Sequence, residues 1–296
     1  MDEPSGLATR EELLSRCTFP PPGSEMALGV SGGKDSLALL VLAVESGCHV
    51  VAYHVDHGLR PGSDAEAEVV RTAAVRFGAG FVALDAIVAP GPNLEARARA
   101  ARFAVLPPGV ATGHTADDQA ETILLNLLRG AGPDGLAGMR RGTTHPILGL
   151  RRSETHLLCS TLALQTVEDP SNSDLGYLRN RVRHDLLPSL CTLAGRDLVP
   201  VFARQAQHFA AESDLLDELA SGIDPTDAKG LAQVPVVLAR RAVRRWLREA
   251  DPEGHPPSSA AVERVLDVAA LRSRGCETGG GRRVRRSTGR LRMEHG

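Results

Sequence analysis

Six consecutive residues, Ser31-Gly32-Gly33-Lys34-Asp35-Ser36, combine the groups needed to hold a polyphosphate. Gly32 and Gly33 let backbone approach a ligand closely, and a helix start offers unpaired N–H groups and partial positive charge. Ser31 and Ser36 add hydroxyl donors, and Lys34 adds a point charge. The spacing is not that of a Walker A loop, because Asp35 follows the lysine and the glycine spacing is one residue short. Nor is it the G-x-G-x-x-G dinucleotide turn. An aspartate inside an anion site is costly unless a cation sits there, which points to Mg²⁺ bridging Asp35 to phosphate. The plainer reading of the same letters is a tight strand–helix turn with a capping Ser or Asp.

Two further clusters could do chemistry. HVDHGLR, from His54 to Arg60, suggests a metal site by composition. Adjacent strand residues point to opposite faces, however, so only His54 and Asp56 share one, and a nucleotide-contacting strand end fits better than zinc. GHTADDQAETILLNLLRGAGPDGLAGM, from Gly113 to Met139, is richer. His114 ends a strand, Asp117 and Asp118 follow, and Asp118 and Glu121 lie three apart on the first turn of a helix. That spacing puts two carboxylates on one helical face, able to hold Mg²⁺ or an ammonium substrate. Capping and the positive helix end are the structural alternative for any one of these acids. Arg129 and the glycine-rich GAGPDGLAGM come next, a loop that could reach over the site as a lid.

The elements that position these groups alternate. Strand-like runs at Met26 to Val30, His49 to Val55, FVALDAIV and Gly109 to His114 are each followed by an amphipathic helical stretch. Such alternation, with glycine at strand ends, predicts an α/β fold: a parallel sheet with helices on both faces. Ligands of such sheets bind beyond the C-terminal strand ends, where all three clusters fall. Residues from Met139 to about Asp174 are less periodic, and Gly176 to Leu271 reads as helical. We expect a catalytic domain over 1–175, a smaller helical domain over 176–271, and a basic tail or small β element over 272–296.

Composition narrows the class. The chain has 296 residues, 42% hydrophobic and 24% charged, ordinary values for a globular protein. Its longest apolar run, Leu37 to Val44, is far short of the roughly 20 residues that span a bilayer. The five cysteines are scattered and form no C-x-x-C pair, arguing against disulfide, zinc-thiolate and iron–sulfur frameworks. A cytoplasmic protein without a membrane segment is expected; its oligomeric state is open, with a homodimer one option. Only Lys34 and Lys229 are lysines among 34 basic residues, so a lysine kept in the phosphate loop hints that a compact ammonium is needed there. Charge is divided along the chain: 10 basic against 17 acidic residues up to Gly138, then 24 against 19. The second half could contribute to binding a phosphate backbone, whereas the acidic first half does not read as such a binder.

SGGKDS matches the signature of the PP-loop superfamily, the N-type ATP pyrophosphatases. HVDHGLR, NLEARARAARF, the Gly113 to Met139 block and EDPSNSDLGYLRNRVRHDLLPSL extend the likeness, in the same order, over roughly residues 26 to 190. Together they resemble the tRNA(Ile)-lysidine synthase family. The resemblance implies ATP-dependent joining of free L-lysine to the wobble cytidine of tRNA(Ile) with a CAU anticodon, through an adenylated cytidine. It implies ATP contacts from Ser31, Gly32, Gly33, Lys34, Asp35, Ser36, His54 and Asp56. Mg²⁺ would sit on Asp35 and Asp118, and His114, Asp117, Asp118, Glu121 and Arg129 would form the catalytic and lysine-binding set. Arg99, Arg102, Arg179, Asn180 and Arg183 would face nucleotide or tRNA. Two departures stand out: His145 precedes Pro146 where the family often has arginine, and Phe103 stands where tyrosine is usual. The alternatives are a PP-loop enzyme of the tRNA 2-thiolation type, which usually needs C-x-x-C, and a non-catalytic nucleotide- or RNA-binding protein.

Overall fold

The computed structural model of the protein describes residues 9–56, 63–87, 94–168, 174–252 and 254–295. His57 to Arg60, the second half of the HVDHGLR motif, lies outside them.

Helix α1 (Arg10–Ser15) opens with a capping box in which Thr9 and Glu12 exchange hydrogen bonds. Strand β1 (Glu25–Gly29) alternates, sending Met26 and Leu28 into the core. It runs through the phosphate loop into helix α2 (Lys34–Glu45), which is buried without a break from Ser36 to Ala43. A helix apolar on all sides must be covered on all sides. Here it packs in the same core as β1, strand β2 (His49–Asp56) and helix α3 (Ser63–Phe77).

Strands β3 (Gly80–Asp85) and β4 (Ala111–Thr112) complete the sheet, separated by helix α4 (Leu94–Val105). Among the described residues the strand order is β3-β2-β1-β4, with every neighbouring pair parallel. The chain thus steps outward from β1 to β3, then returns to place β4 on the other side of β1. This reversal opens a crevice at the C-terminal ends of β1 and β4, the place where such sheets bind ligands. The register aligns Gly29 with Thr112, so the phosphate loop and the acidic segment leave the sheet side by side.

Beyond β4 the chain forms helix α5 (Ala116–Leu128), a short helix α6 (Pro133–Leu136) and helix α7 (Arg152–Thr161). Sequence periodicity does not reveal α7, whose ten residues bury only Thr155, Leu158 and Cys159. Helix α8 (Leu178–Arg181), a π-helical turn (Val182–Leu186), helix α9 (Leu187–Ala194) and the long helix α10 (Val199–Ser221) follow. Val182, Leu187 and Val199 form one apolar cluster with Ala116, Ala120, Leu124 and Leu125 of α5. The first compact unit therefore runs past residue 175, to Phe209.

The second unit, Ala210–Gly296, holds α11 (Ala228–Gln233), α12 (Val236–Glu249), α13 (Ser259–Ala269) and a three-stranded antiparallel sheet. Its strands are β5 (Gly275–Gly279), β6 (Arg282–Ser287) and β7 (Arg290–His295), so the arginine-rich end is a sheet. Val284 and Leu291 pack with Ala242, Val243 and Val265. The arginines of α12 are largely engaged within the unit. Arg240 pairs with Glu263 (2.6 Å), Arg241 pairs with Asp217 (2.5 Å), and Arg245 donates to carbonyls of Ala220, Ser221 and Ile223 at the end of α10. No single helix among the described residues is long and apolar enough to cross a membrane.

Candidate active site

Gly32 adopts φ +85°, a left-handed conformation that an L side chain resists, and a Cβ there would meet Val167 Cγ2 at 2.7 Å. The loop is held internally as well. Ser36 Oγ donates to the Gly33 carbonyl (2.8 Å), and Ser31 Oγ lies 3.3 Å from Ser36 Oγ. Lys34 extends from the first turn of α2 to a surface pair with Glu168, 3.3 Å away, which a competing anion can displace. His54 is buried, and its Nδ1–H donates to the Val30 carbonyl at 3.0 Å. It braces the entry to the loop and is not open to a ligand. Asp56 ends β2, where its carbonyl accepts from Ala86 N.

Gly113 packs against the other side of the loop. A Cβ there would sit 2.8 Å from the Asp35 carbonyl oxygen and 2.9 Å from Ser36 N. Two residues on, Thr115 caps α5, and its N–H and hydroxyl both donate to Asp118 Oδ2 at 2.9 Å. Asp118 Oδ1 receives Arg152 (2.9 Å), Arg179 (3.1 Å) and Arg183 (3.3 Å). The same arginines converge on Glu121, which is 0% exposed. Arg183 Nε lies 2.7 Å from its Oε1, and Arg152 Nη2 and Arg179 Nε each lie 3.0 Å from an oxygen. Burial works to raise the Asp118 carboxyl, but Arg152, Arg179 and the Thr115 N–H outweigh it and hold the group below the usual carboxylate range.

Arg152 also connects this cluster to the phosphate loop, with Nε 3.6 Å from Asp35 Oδ2. Asp35 Oδ1 accepts a hydrogen bond from the Thr155 hydroxyl, and His156 Nε2 stands 3.8 Å from it. Burial pushes the Asp35 carboxyl up to about 6, with the charge of Asp118 adding to the effect against the hydrogen bond from Thr155.

His114 lies at the end of β4, its ring edge-to-face with His145 at 5.0 Å between centroids. Burial holds His114 down to about 4 and His145 below its usual value, and Arg99 lowers both further. Between its ordinary pKa of 6.5 and about 4, His114 binds fewer protons folded than unfolded, so its contribution to stability is lost as pH falls through that window. Asp35, with a raised pKa, has the opposite slope, being favourable at low pH and losing that advantage as pH rises toward about 6. The difference between His114→Gln and the parent isolates the histidine. We expect the variant to gain stability relative to the parent as pH is lowered from 7 to 4.5 in urea titrations; a constant difference would refute the shift.

The structure thus brings Asp35, His114, Asp118, Glu121, Arg179 and Arg183 together, with Arg99 close enough to act on His114. Arg179 and Arg183, expected to face nucleotide or tRNA, pair with Asp118 and Glu121. Asn180 is buried and donates to the Asp174 carbonyl at 2.8 Å. Arg102 lies in the last turn of α4. Two expected site residues are elsewhere. Asp117 turns away from Asp118 into a two-pronged pair with Arg151 (3.0 and 3.1 Å) and accepts from Arg152 N, which fixes the start of α7. Arg129 caps the far end of α5, about 20 Å along the axis from its first turn at 1.5 Å per residue. The glycine-rich segment expected as a lid folds back on α5, where Gln119 binds both N and O of Met139 and Asn126 binds the Gly135 carbonyl. Sequence reasoning missed Arg152 and Thr155, and noted His145 only as standing where the family often has arginine. For the two missed residues the local signal was Glu154, which caps the start of α7 by accepting from Arg151 N.

Comparison with known proteins agrees with this geometry. Residues 8–190 match the PP-loop domain family, and residues 227–292 match the TilS substrate binding domain. The tRNA(Ile)-lysidine synthase of Nocardia farcinica is 37% identical over 279 residues, covering 89% of this chain and 88% of the relative. That of Rhodococcus erythropolis is 36% identical over 262 residues, 83% and 81% of the two chains, and that of Gloeobacter violaceus is 38% identical with 82% of each covered. Among solved structures, the U34-tRNA thiolase NcsA from Methanococcus maripaludis superposes with a TM-score of 0.50 at 16% identity over 73% of this chain and 80% of its own, a likeness of fold. With a PP-loop site at the sheet's switch point and relatives matched over most of their length, the chain belongs to the tRNA(Ile)-lysidine synthase family.

Proposed function

We propose that the protein joins the ε-amine of L-lysine to C2 of the wobble cytidine in tRNA(Ile) with a CAU anticodon, at the expense of ATP cleaved to AMP and pyrophosphate. The observation that carries this reading is the meeting of two sites in one. The phosphate loop packs directly on Gly113, and Arg152 spans from Asp35 to Asp118 and Glu121. A nucleotide on the loop would therefore have its α-phosphate beside the carboxylate–arginine cluster. Free cysteines at 17, 48, 159, 191 and 276 supply no paired thiols for sulfur transfer.

In the first step the cytidine O2 attacks the α-phosphate and pyrophosphate leaves. The N–H groups opening α2 and the Lys34 ammonium stabilise the charge that develops on the leaving group. In the second step the lysine amine attacks C2 and AMP leaves. Asp118 and Glu121 are neutralised by three guanidiniums, so a lysine ammonium binds there only by displacing one of them. Arg179 and Arg183, which now hold carboxylates, are suited to exchange them for tRNA phosphate as the substrate arrives, and Arg99 and Arg102 add positive charge from α4.

Among the described residues no group of three or more His, Cys, Asp or Glu forms a metal cage, so phosphate oxygens and water would supply most ligands of a Mg²⁺. Asp35 fits that arrangement, because among the described residues its Oδ2 is met by Arg152 Nε alone, and at 3.6 Å. Asp118 does not, since both its oxygens are taken by Thr115 and the arginines. A Mg²⁺ held by Asp35 would supply charge neutralisation on the phosphates.

The test is pyrophosphate release from ATP with and without CAU-anticodon tRNA(Ile) and radiolabelled lysine. Release that requires the tRNA, with label attached to it, is the expected result; label failing to join the tRNA would sink the ligase assignment. Asp35→Asn should lower release about 10²- to 10³-fold. Because Asp35 is a buried carboxyl with a raised pKa, the amide should not lower the unfolding midpoint at pH 7. Full activity in that variant would refute the role of Asp35.

A further inference from the structure

The hydroxyl of Thr112 sits between two imidazoles. Its Oγ1 lies 2.8 Å from Nδ1 of His114 and 3.2 Å from Nδ1 of His145. Backbone pairing enforces this meeting. Thr112 N donates to the Thr144 carbonyl (3.0 Å), His114 N donates to the Thr112 carbonyl (2.9 Å), and Gly142 and His145 form an isolated bridge. His145 is thus carried to the end of β4 from 33 residues further along the chain.

A hydroxyl has one proton. It can donate to only one Nδ1, and the other ring must then donate its own Nδ1–H to the hydroxyl oxygen. Were both rings donors, the half-buried Thr112 hydroxyl would have to send its own proton to solvent instead of to a ring. We propose that Thr112 locks His114 and His145 into opposite neutral tautomers, making His145 a positioning residue that sets what His114 Nε2 offers to the site.

Neutral imidazole carries its proton on one nitrogen, and the bond made by Nδ1 decides the state of Nε2. One ring of the pair then presents an Nε2–H donor and the other an Nε2 lone pair. The ring with the lone pair can accept a hydrogen bond from an attacking amine, and its partner cannot. Burial keeps both rings neutral at pH 7, and the charge of Arg99 acts in the same direction on each. The functional part of the inference rests on the reading of His114 as a residue of the ligation site; the tautomer lock does not. The same arrangement gives His145 a role where the family often has arginine, through an edge contact and a shared hydroxyl in place of a charge.

The experiment is ¹⁵N imidazole NMR of the full chain labelled at histidine, with the two rings assigned from the signals lost in His114→Gln and His145→Gln. Opposite tautomers are expected in the parent. Thr112→Val should abolish the opposition and lower kcat for lysine incorporation roughly tenfold, with KM for ATP nearly unchanged. Thr112→Ser should restore both the pattern and the rate, and His145→Phe, which keeps the aromatic edge, should release the tautomer of His114. The same tautomer on both rings of the parent, or an opposition that survives in Thr112→Val, overturns the lock. Opposite tautomers with an unchanged kcat in Thr112→Val overturn the positioning role. If the parent incorporates no lysine while the rings still oppose, the ligase reading fails and the lock stands.

Discussion

Gly113→Ala should reduce pyrophosphate release by about 10- to 100-fold while leaving the protein folded. The added methyl would sit 2.8 Å from the Asp35 carbonyl oxygen, 2.9 Å from Asp35 C and 2.9 Å from Ser36 N. Those are backbone atoms of the first turn of α2, and no rotamer change moves them. β4 and α2 must separate by several tenths of an ångström, and the separation falls where the phosphate loop and the acidic segment leave the sheet. Overpacking of this kind costs roughly 1–3 kcal/mol, which a domain of this size survives. Catalysis does not tolerate it, since misplacement of reacting groups by about 1 Å can cost 10²-fold. Steady-state pyrophosphate release and a thermal melt on the same preparation separate the two effects. Parent-like kcat/KM in Gly113→Ala would mean that the packing of these strand ends does not set the reaction geometry.

The same contact shows why part of the site was legible in the sequence. Phosphate binding at a strand end requires close backbone approach, and SGGKDS announces that need in residue types alone. Strand–helix alternation then fixed the side of the sheet, because ligands collect at C-terminal strand ends. Arg152 and His145 gave no such sign. They reach the site across 31 to 34 residues of intervening chain, Arg152 from a ten-residue helix with little apolar pattern. Proximity in sequence misled in two places. Asp117 and Asp118 are adjacent, but successive residues on a helix point about 100° apart, so one meets Arg151 and the other the arginine cluster. Arg129 shares a helix with Asp118 but caps its other end. The arginines of α8 and the π-helical turn were legible as functional and not as partners of carboxylates, because ion pairing across the fold leaves no local pattern.

Glu121→Gln should be the most destabilising single-atom change in the first unit. Glu121 is 0% exposed and accepts from Arg152, Arg179 and Arg183 through both oxygens. The amide keeps the volume but removes the charge and replaces one acceptor oxygen with a donor, so at least one guanidinium loses its partner in a buried place. Breaking a buried ion pair from one side typically costs about 3–5 kcal/mol, because the remaining charge is uncompensated. At roughly 2–4 °C per kcal/mol for a unit of this size, Tm should fall by about 6–20 °C. Activity should fall further than stability at temperatures where the variant is still folded. Arg152 is shared between Glu121, Asp118 and Asp35, so loosening it disturbs the carboxyl beside the phosphate loop as well as the cluster. Glu121→Asp, which keeps the charge on a shorter stem, should recover part of the Tm and little of the rate. A double variant that also replaces Arg183 with Leu removes one of the orphaned charges, and its Tm should exceed the value expected from adding the two single effects. Strict additivity in that cycle would show that Glu121 and Arg183 are not coupled, and with it the arginine cluster would lose its standing as a single electrostatic unit.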